Sequence, residues 1–513
     1  MFGSIVPSVQ VPSSSVMHAA CYVYGAGQAD DGVCLRLELD RYRILLDCGL
    51  RDWSALNEPD RATLGTIDWV ICSHAHPDHS RGILALHQAL PQVPIITSEV
   101  TAALLPLNWP GAVIPADLVQ VWPWRSLLPL TDRLSLELIP AGHLPGAAVV
   151  ILRYQSDDRA APYCVIYSGD CYLSNTRFVE GLRLAELRGL MPDVLILEGR
   201  YGVSRRPRRR QQENYLMERI LQALQAGQSV LLPLPPIGLG QELLYLLRSH
   251  YLFSGRAGNI WVQGQVAAGC DAYLGLMAQF PIAVQNFARN QALFWDDKVQ
   301  PAVYRGQPAT DPSTPYILLT DIGMELSQCC QQGKWLVLLP EEAKGEMPGQ
   351  TDDDASVPAA IVTAETYALS EHCDGNATLQ LIHNLRPQHV VLIHGAPDTL
   401  AEFADLDELS SRYKLHIPAA GAWLELPTQA QGEAVTFNPP PLPEVRYEGE
   451  VAETRAEILI SLPIDLSSDP RWANFADTGV LEVVWQGDQL VLRGMTATEL
   501  GYCVELSADH EAD

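Results

Sequence analysis

The chain has no stretch of about eighteen consecutive apolar residues anywhere in its 513, so it offers no ordinary membrane-spanning helix. Met1 to Ser15 holds no Lys or Arg and no apolar block. The basic and hydrophobic regions of an export signal are therefore both missing. The 11 cysteines are scattered and odd in number. With no CxxC or Cys/His finger spacing, neither a disulfide framework nor a cysteine-type zinc finger is expected, and single buried thiols in a reducing cytoplasm are. Positive charge is scarce: 34 Lys and Arg against 61 Asp and Glu leave −27. That balance excludes bulk attraction to a polyanion, so any nucleic acid must be held by a local basic patch or by metal ions. Charged residues make up only 19% and apolar ones 47%, which excludes global disorder and leaves ample material for a core. The length points to roughly two to four domains.

Along the first two hundred residues, short apolar runs alternate with polar turns: Val33 to Leu39, Tyr42 to Leu46, Trp69 to Cys72, Pro94 to Thr97, Leu134 to Ile139, Ala147 to Arg153, Tyr163 to Tyr167 and Val194 to Leu197. Several are nearly continuous, as befits strands buried on both faces under helices. A helical spacing, Ile83, Leu86 and Leu90, follows His79. The pattern is mixed α/β. From about Gly199 the style changes. A basic stretch leads into a helical pattern from Gln212 to Ala226, then the strand Ser229 to Leu234, a helix Gln241 to Arg248, and further strands at Asn259 to Val262, Tyr316 to Thr320 and Trp335 to Leu339. This reads as a βαβ-type insert. An acidic loop, Glu341 to Ser356, precedes a helix near Asn376 to Leu385 and a strand Val390 to Ile393. The expected division is a first domain over 1–198, an insert over 199–385, a closing part of the first domain over 386–426, a Pro-rich linker over 427–444 and an acidic β-rich module over 445–513. From Pro427 on, 16 acids face 4 arginines.

The densest chemistry is Ser73-His74-Ala75-His76-Pro77-Asp78-His79, directly after the apolar run Trp69 to Cys72. Imidazole and carboxylate are ligands for zinc and related metals. A turn can send such alternating side chains to two points, with His74 and His76 on one metal and Asp78 and His79 on another. Further candidates follow other strands, each beside or close to a glycine: Asp47 in Leu46-Asp47-Cys48-Gly49, His143 in Ala141-Gly142-His143, Asp170 in Ser168-Gly169-Asp170 and His394 in Ile393-His394-Gly395. Singly, a strand-end Asp or His is a common turn residue; together with the histidine cluster they form a candidate site on the loops where α/β folds carry chemistry. Gly238-Leu239-Gly240 lacks a third glycine at Leu243, which argues against a dinucleotide loop.

These residues, in this order, resemble the motifs of the metallo-β-lactamase superfamily, and specifically its β-CASP nucleic-acid-processing branch. Leu197-Glu198-Gly199-Arg200-Tyr201-Gly202 resembles the branch's acidic motif A, Ser370-Glu371-His372-Cys373-Asp374 its histidine motif B, and Leu392-Ile393-His394-Gly395 its motif C. Ala141-Gly142-His143 followed by Gly146-Ala147-Ala148, and Gly227 to Leu244, also fit. The similarity spans roughly residues 15 to 426 and is nearest to bacterial and archaeal homologues of the mRNA cleavage and polyadenylation endonuclease, with RNase J more distant. The chain departs from the pattern at Gly199-Arg200, where Ser-Thr is usual, and at Leu239, where an arginine is usual.

The resemblance implies an αββα sandwich interrupted by a β-CASP α/β insert, and a cytoplasmic ribonuclease with two Zn²⁺, or Mn²⁺. It implies one metal on His74, His76 and His143, the other on Asp78, His79 and His394, Asp170 bridging, and Asp47 behind them. A hydroxide activated by the two metals would attack phosphorus, and His372, oriented by Glu198, would be the general acid. Arg200, Arg205, Arg206, Arg208, Arg209 and Arg210, six arginines within eleven residues, are candidate phosphate contacts. RNA is the expected substrate, with no membrane partner, and the acidic tail is expected to pair with a second copy or another protein. The rival reading is a catalytically weak or inactive scaffold subunit that binds RNA; a small-ester hydrolase is a third. The motifs are common to endonucleases and exonucleases and do not separate RNA from DNA.

Overall fold

The computed structural model describes residues 17–28, 31–52, 67–256, 258–308, 314–330, 332–341 and 360–428, together with four short strands beyond. The expected acidic loop and Pro-rich linker fall almost wholly outside the described residues. The chain forms two compact units, Met1–Ala430 and Gln431–Asp513.

The apolar runs become strands with nearly the limits read from the sequence. One seven-stranded sheet runs in the order Trp423–Glu425, Ala19–Ala26, Val33–Leu39, Tyr42–Leu46, Trp69–Ile71, Ile95–Thr97, Gln120–Val121. It is antiparallel as far as Tyr42–Leu46 and parallel beyond. A second runs Lys414–His416, His389–Ile393, Val194–Glu198, Tyr163–Tyr167, Ala148–Tyr154, Leu134–Pro140, Leu128–Pro129. Alternate residues of both sheets share one core. Leu35, Leu37, Ile44 and Leu46 of the first lie in one buried cluster with Leu136, Leu138, Val150, Leu152, Val165, Ile196 and Val391 of the second. Their neighbours Leu45, Val70, Ile151, Ile166, Leu195, Leu197, Val390 and Leu392 face the other way, into a cluster that includes helix residues such as Ile83, Leu86, Leu381 and Leu400. Two sheets back to back with helices outside are therefore dictated by the period of two. Each fully buried Leu or Ile contributes about 1.5–3 kcal/mol, and a register slip of one residue would exchange the two faces.

A third sheet, six-stranded and wholly parallel, comes from the middle of the chain in the order Ala302–Arg305, Asn259–Val262, Ile317–Asp321, Ser229–Leu234, Gly333–Pro340, Ala360–Tyr367. Helices Arg209–Gln225, Leu239–Ser249, Gly264–Gly275 and Ile282–Asn290 accompany it. The strand Ala360–Tyr367, next to the acidic stretch, is one the sequence reading leaves unmarked. In the second unit, Glu450–Glu453 pairs with Ile458–Ser461, and Leu481–Gln486 with Gln489–Gly494, as antiparallel hairpins. No described helix is long and apolar enough to cross a membrane.

Chemistry gathers where strands end. The parallel strands Tyr163–Tyr167, Val194–Glu198 and His389–Ile393 are in register, so Asp170, Glu198 and His394 leave the second sheet at one rim. Asp47 follows Tyr42–Leu46 with φ 58°, and His394 follows His389–Ile393 with φ 51°. Left-handed backbone at a non-glycine residue costs about 1–3 kcal/mol and survives where its surroundings enforce it. Here the enforcement is visible: Asp47 N donates to Ile71 O (2.9 Å) and His394 N to Ala26 O (2.7 Å). Gly142, at φ 80°, has no room for a side chain, since a Cβ would lie 2.1 Å from Tyr172 O.

Candidate metal centre

Asp47 is buried completely and accepts four hydrogen bonds. Ser73 N reaches Oδ1 at 2.6 Å; Ser73 Oγ at 2.7 Å, His79 Nδ1 at 2.7 Å and Tyr167 OH at 2.5 Å all reach Oδ2. This network fixes which ring nitrogens carry protons. Ser73 gives its hydroxyl proton to Asp47, so its oxygen can only accept from His74 Nδ1, 3.0 Å away. The other nitrogen, His74 Nε2, is buried and has no hydrogen-bond partner. His79 Nδ1 donates to Asp47 and leaves Nε2 facing Asp170 Oδ1 at 3.2 Å. His143 Nδ1 must donate to a carbonyl, Glu371 O, at 2.8 Å, and His76 Nε2 to Ile237 O at 3.3 Å. The remaining nitrogens, His143 Nε2 and His76 Nδ1, then point lone pairs at each other across 2.9 Å. Neutral, neither can donate to the other. An orphaned imidazole nitrogen and two opposed lone pairs, all buried, fit a cation and little else.

Two groups of donors result. Ligand atoms of His74, His76, His143 and Asp170 lie within 4.8 Å of one another, as do those of Asp78, His79 and His394. Asp170 stands between: Oδ1 is 2.7 Å from His394 Nδ1 and 3.2 Å from His79 Nε2, while Oδ2 is 3.6 Å from His74 Nε2 and 3.7 Å from His143 Nε2. A third group, Asp170, Glu198 and His372, adjoins them. His372 Nδ1 is 2.7 Å from Glu198 Oε2, and Glu198 Oε1 accepts from Cys171 N at 2.6 Å.

Electrostatics separates the histidines. Burial, reinforced by neighbouring imidazoles, holds His74 and His143 well below the usual histidine range, and burial lowers His76. These three rings are held neutral, the form in which an imidazole can bind a metal. At His79 burial also opposes charge, but the carboxylates of Asp170, Asp47 and Asp78 outweigh it and raise the ring well above its ordinary value. The same contest, with Asp170 and Asp78, takes His394 up to about 9. At His372 burial and the Arg200 cation work against charge, and Glu198 and Asp170 prevail in raising it. Burial works to raise Asp78 and Asp170, yet the surrounding histidines hold both carboxyls well below the usual range.

This geometry can be set beside known proteins. The family model described as a beta-lactamase superfamily domain matches residues 42–231, and one described as a Zn-dependent metallo-hydrolase RNA specificity domain matches residues 360–418. An uncharacterized protein of Synechocystis sp. is 43% identical over 96% of this chain and 90% of its own length. A probable RNase of Methanocaldococcus jannaschii is 31% identical over 42% of this chain and 54% of that protein. Integrator complex subunit 11 of Danio rerio is 23% identical over 77% of this chain and 72% of its own. The chain belongs to the β-CASP branch of the metallo-β-lactamase superfamily. A solved structure of a protein of unknown function from Enterococcus faecalis V583 covers 80% of this chain and all of that one, at 14% identity and a TM-score of 0.50, and bears on the fold alone.

Around the β-CASP motifs the structure gives roles to residues that the sequence shows only as members of a motif, or not at all. Ser370 Oγ accepts from Tyr201 OH at 2.7 Å and from His372 N at 3.0 Å, tying motif A to motif B. Asp374 caps the helix Gly375–Leu385 through Ala377 N and also accepts from Arg206 N at 3.0 Å. Tyr167 and Ser73 complete the ring around Asp47. Ser73 lies within the histidine motif, but a buried strand tyrosine leaves no distinguishing mark in sequence. Leu239 is buried and opens the helix Leu239–Ser249. The turn before it approaches the site, for a Cβ on Gly238 would lie 2.9 Å from Glu371 Oε2 and 3.5 Å from His76 Nε2.

The arginine run divides. Arg205 and Arg210 are exposed and Arg208 half-buried. Arg206 pairs with Glu341 and lies over the Tyr201 ring. Arg200 Nη1 is 3.2 Å from His394 Nε2. Arg209, expected at a phosphate, is instead buried. Its guanidinium is 3.2 Å from Glu213 and 3.4 Å from Glu242 and donates to Ser370 O at 2.7 Å. Helix geometry explains the correction: Arg209 and Glu213 are four residues apart on one face of Arg209–Gln225, which turns inward.

Proposed function

We propose that this β-CASP protein is a metal-dependent ribonuclease that hydrolyses phosphodiester bonds with two zinc ions, Mn²⁺ being an acceptable substitute. The observation that carries it is the placement of Asp170, with one carboxylate oxygen toward each donor group and the His372–Glu198 pair alongside. His74, His76 and His143 would hold one ion, Asp78, His79 and His394 the other, and Asp170 both. Bound there, the ions would supply a water-derived nucleophile near neutral pH and a positive clamp for the phosphate.

The chain's own residues do the rest. Asp47 holds His79 through Nδ1 and, through Ser73, His74, so both rings present Nε2 inward. Glu198 holds Nδ1 of His372, which leaves Nε2 to carry the proton for the departing sugar oxygen. The same carboxylate favours the protonated ring that a general acid needs. Arg200, Arg205, Arg206, Arg208 and Arg210 are the candidate phosphate contacts along the strand of RNA; Arg209 is left out for the reason given above. The division into 1–198, 199–385 and 386–426, with the tail as a pairing module for a second copy or a protein partner, belongs to the same reading. Full occupancy of the donor positions supports an enzyme over a degenerate scaffold.

The test is incubation of the purified chain with end-labelled RNA and zinc, with and without a chelator. Metal-dependent shortening of the label is the expected result, and product lengths tell internal from terminal cleavage. Intact RNA at every zinc and manganese concentration would overturn the reading.

A further inference from the structure

Cys171 and Cys373 are 202 residues apart in the chain, yet their Sγ atoms lie 3.9 Å from each other. Cys171 follows Asp170 and Cys373 follows His372, so the thiol pair spans the candidate centre from just behind it. Backbone bonds set the approach. Cys373 N donates to Cys171 O at 3.0 Å, and Cys171 N to Glu198 Oε1 at 2.6 Å. Residues joined by such a bond between neighbouring segments have Cα atoms about 4.5–5.5 Å apart, inside the roughly 4.4–6.8 Å that a disulfide spans. A turn of the side chains that brings the sulfurs about 2 Å closer completes the bond. Both cysteines are free and buried. Cys373, 3% exposed against 0% for Cys171, is the one a small oxidant meets first. The hydrogen bond to Cys373, with burial, holds Cys171 well above the usual thiol range, so the resting pair is two thiols. Metal binding and proton transfer, as proposed, use neither sulfur.

We propose that hydrogen peroxide converts this pair into a disulfide, which pins the segment carrying His372 to the segment carrying Asp170 and shuts the site. The sulfur of Cys373 attacks one peroxide oxygen: an S–O bond forms, the O–O bond breaks, and the thiol proton leaves with the other oxygen as water. The sulfur of Cys171 then attacks the sulfenic sulfur; the S–S bond forms, the S–O bond breaks, and a second water departs. Two thiols lose two electrons and one peroxide is reduced to two waters. The consequence follows from burial. His143, Asp170, Glu198 and His372 are all buried, so a phosphate enters between Asp170 and His372 only when their segments part, and a covalent bond between the adjoining residues prevents that. A reductant reverses the change, as for the transient redox-sensing disulfides of reducing compartments. The bond itself is independent of the ribonuclease reading; its effect on RNA rests on that reading.

The experiment is exposure of the full, zinc-supplemented chain to hydrogen peroxide, as wild type, Cys171→Ala and Cys373→Ser. Peptide mass spectrometry without reduction, thermal melting and RNA cleavage are read before and after a phosphine reductant. Wild type should yield a peptide linked through Cys171 and Cys373 over hours, since burial slows the first step. Its melting temperature should rise by several degrees, because the bond closes a loop spanning 202 residues. Cleavage should be lost in proportion to the linked fraction, with zinc content unchanged, and return on reduction. Neither variant should show the linked peptide or these changes. Absence of the peptide in wild type would overturn the proposal, and so would linked protein that melts, or cleaves RNA, as the untreated chain does. An untreated chain that leaves RNA intact would overturn the ribonuclease reading instead, and the linked peptide and melting shift would still decide this one.

Discussion

Glu198 Oε2 and His372 Nδ1 meet at 2.7 Å, although 174 residues separate them in the chain. The pair lies beside Asp170 but outside the two donor groups formed by the other histidines. That separates its chemistry from metal retention. The His372→Ala protein should keep its metal content while RNA cleavage falls by roughly 10²–10⁴-fold, the usual contribution of a general acid. Metal analysis and single-turnover cleavage on the same preparation check this, and an unchanged rate removes His372 from the mechanism.

Asp170 faces both donor groups, so its loss should not be local. Asp170→Asn is expected to lower retention of both ions, whereas Asp78→Ala should spare the His74/His76/His143 ion. Metal content after dialysis, measured by mass spectrometry, distinguishes the two patterns. Wild-type protein purified without chelator should bind two equivalents on adding zinc. Less than one equivalent at saturation would remove the dinuclear centre.

Arg209 is predicted to matter for folding. Replacing it with Met removes the guanidinium between the buried Glu213 and Glu242, leaving Glu213 to Arg177 and Glu242 to the N–H groups of Arg177 and Phe178, a loss of at most about 3–5 kcal/mol. Urea unfolding should show it, while the folded fraction keeps its RNA affinity. Arg205→Ala with Arg210→Ala should do the reverse, with little change in stability and a shallower salt dependence of RNA binding.

The raised histidines predict a pH dependence of loading. His394, held up at about 9, and His79, raised well above its ordinary value, carry protons in the metal-free chain near neutrality. An ion must displace them, so apparent affinity should rise with pH from roughly 6.5 to 9 and then level off. The metal-free chain has the opposite slope in stability. Protonation of a group whose folded value is raised stabilises fully below the unfolded value, near 6.5, and that stabilisation disappears as pH climbs through about 9. Denaturant midpoints with and without metal should therefore converge at low pH and diverge at high pH. A metal-free midpoint that rises over that interval would contradict the assignment.

The acidic tail should be dispensable for catalysis. With 16 acids to 4 arginines after Pro427, it repels phosphate, and its short hairpins offer strand edges. Truncation before Arg446 should abolish self-association or partner binding, read by light scattering, and leave RNA cleavage intact. Loss of RNA affinity with folding preserved would place the tail on the substrate.

Much of this was legible in sequence because strands buried on both faces write themselves as apolar runs, and because Ser73 to His79 compresses several donors into seven residues. Tyr42–Leu46 and Tyr163–Tyr167 keep their expected limits. The strand Ala360–Tyr367 leaves no apolar run to read because it mixes Thr, Glu and Ala at the edge of its sheet. Arg209 misled for a related reason: charge counts in a run say nothing of which way a helix face turns, and Glu213 and Glu242 reveal their common target only in three dimensions. The roles of Tyr167 and Ser370 depend on hydrogen bonds between distant segments, which no local pattern records.

The contact between His394 Nδ1 and Asp170 Oδ1, 224 residues apart, has a consequence for the order of events during synthesis. A growing chain acquires His74, His76, His143 and Asp170 early, but it cannot close the site until the strand His389–Ile393 has emerged and paired with Val194–Glu198. Loop closure over such a separation comes late in folding. On the proposed function, an unfinished chain still tethered beside the message that encodes it would lack a complete site, and all the donors would be in place only when nearly all of the first unit had left the ribosome.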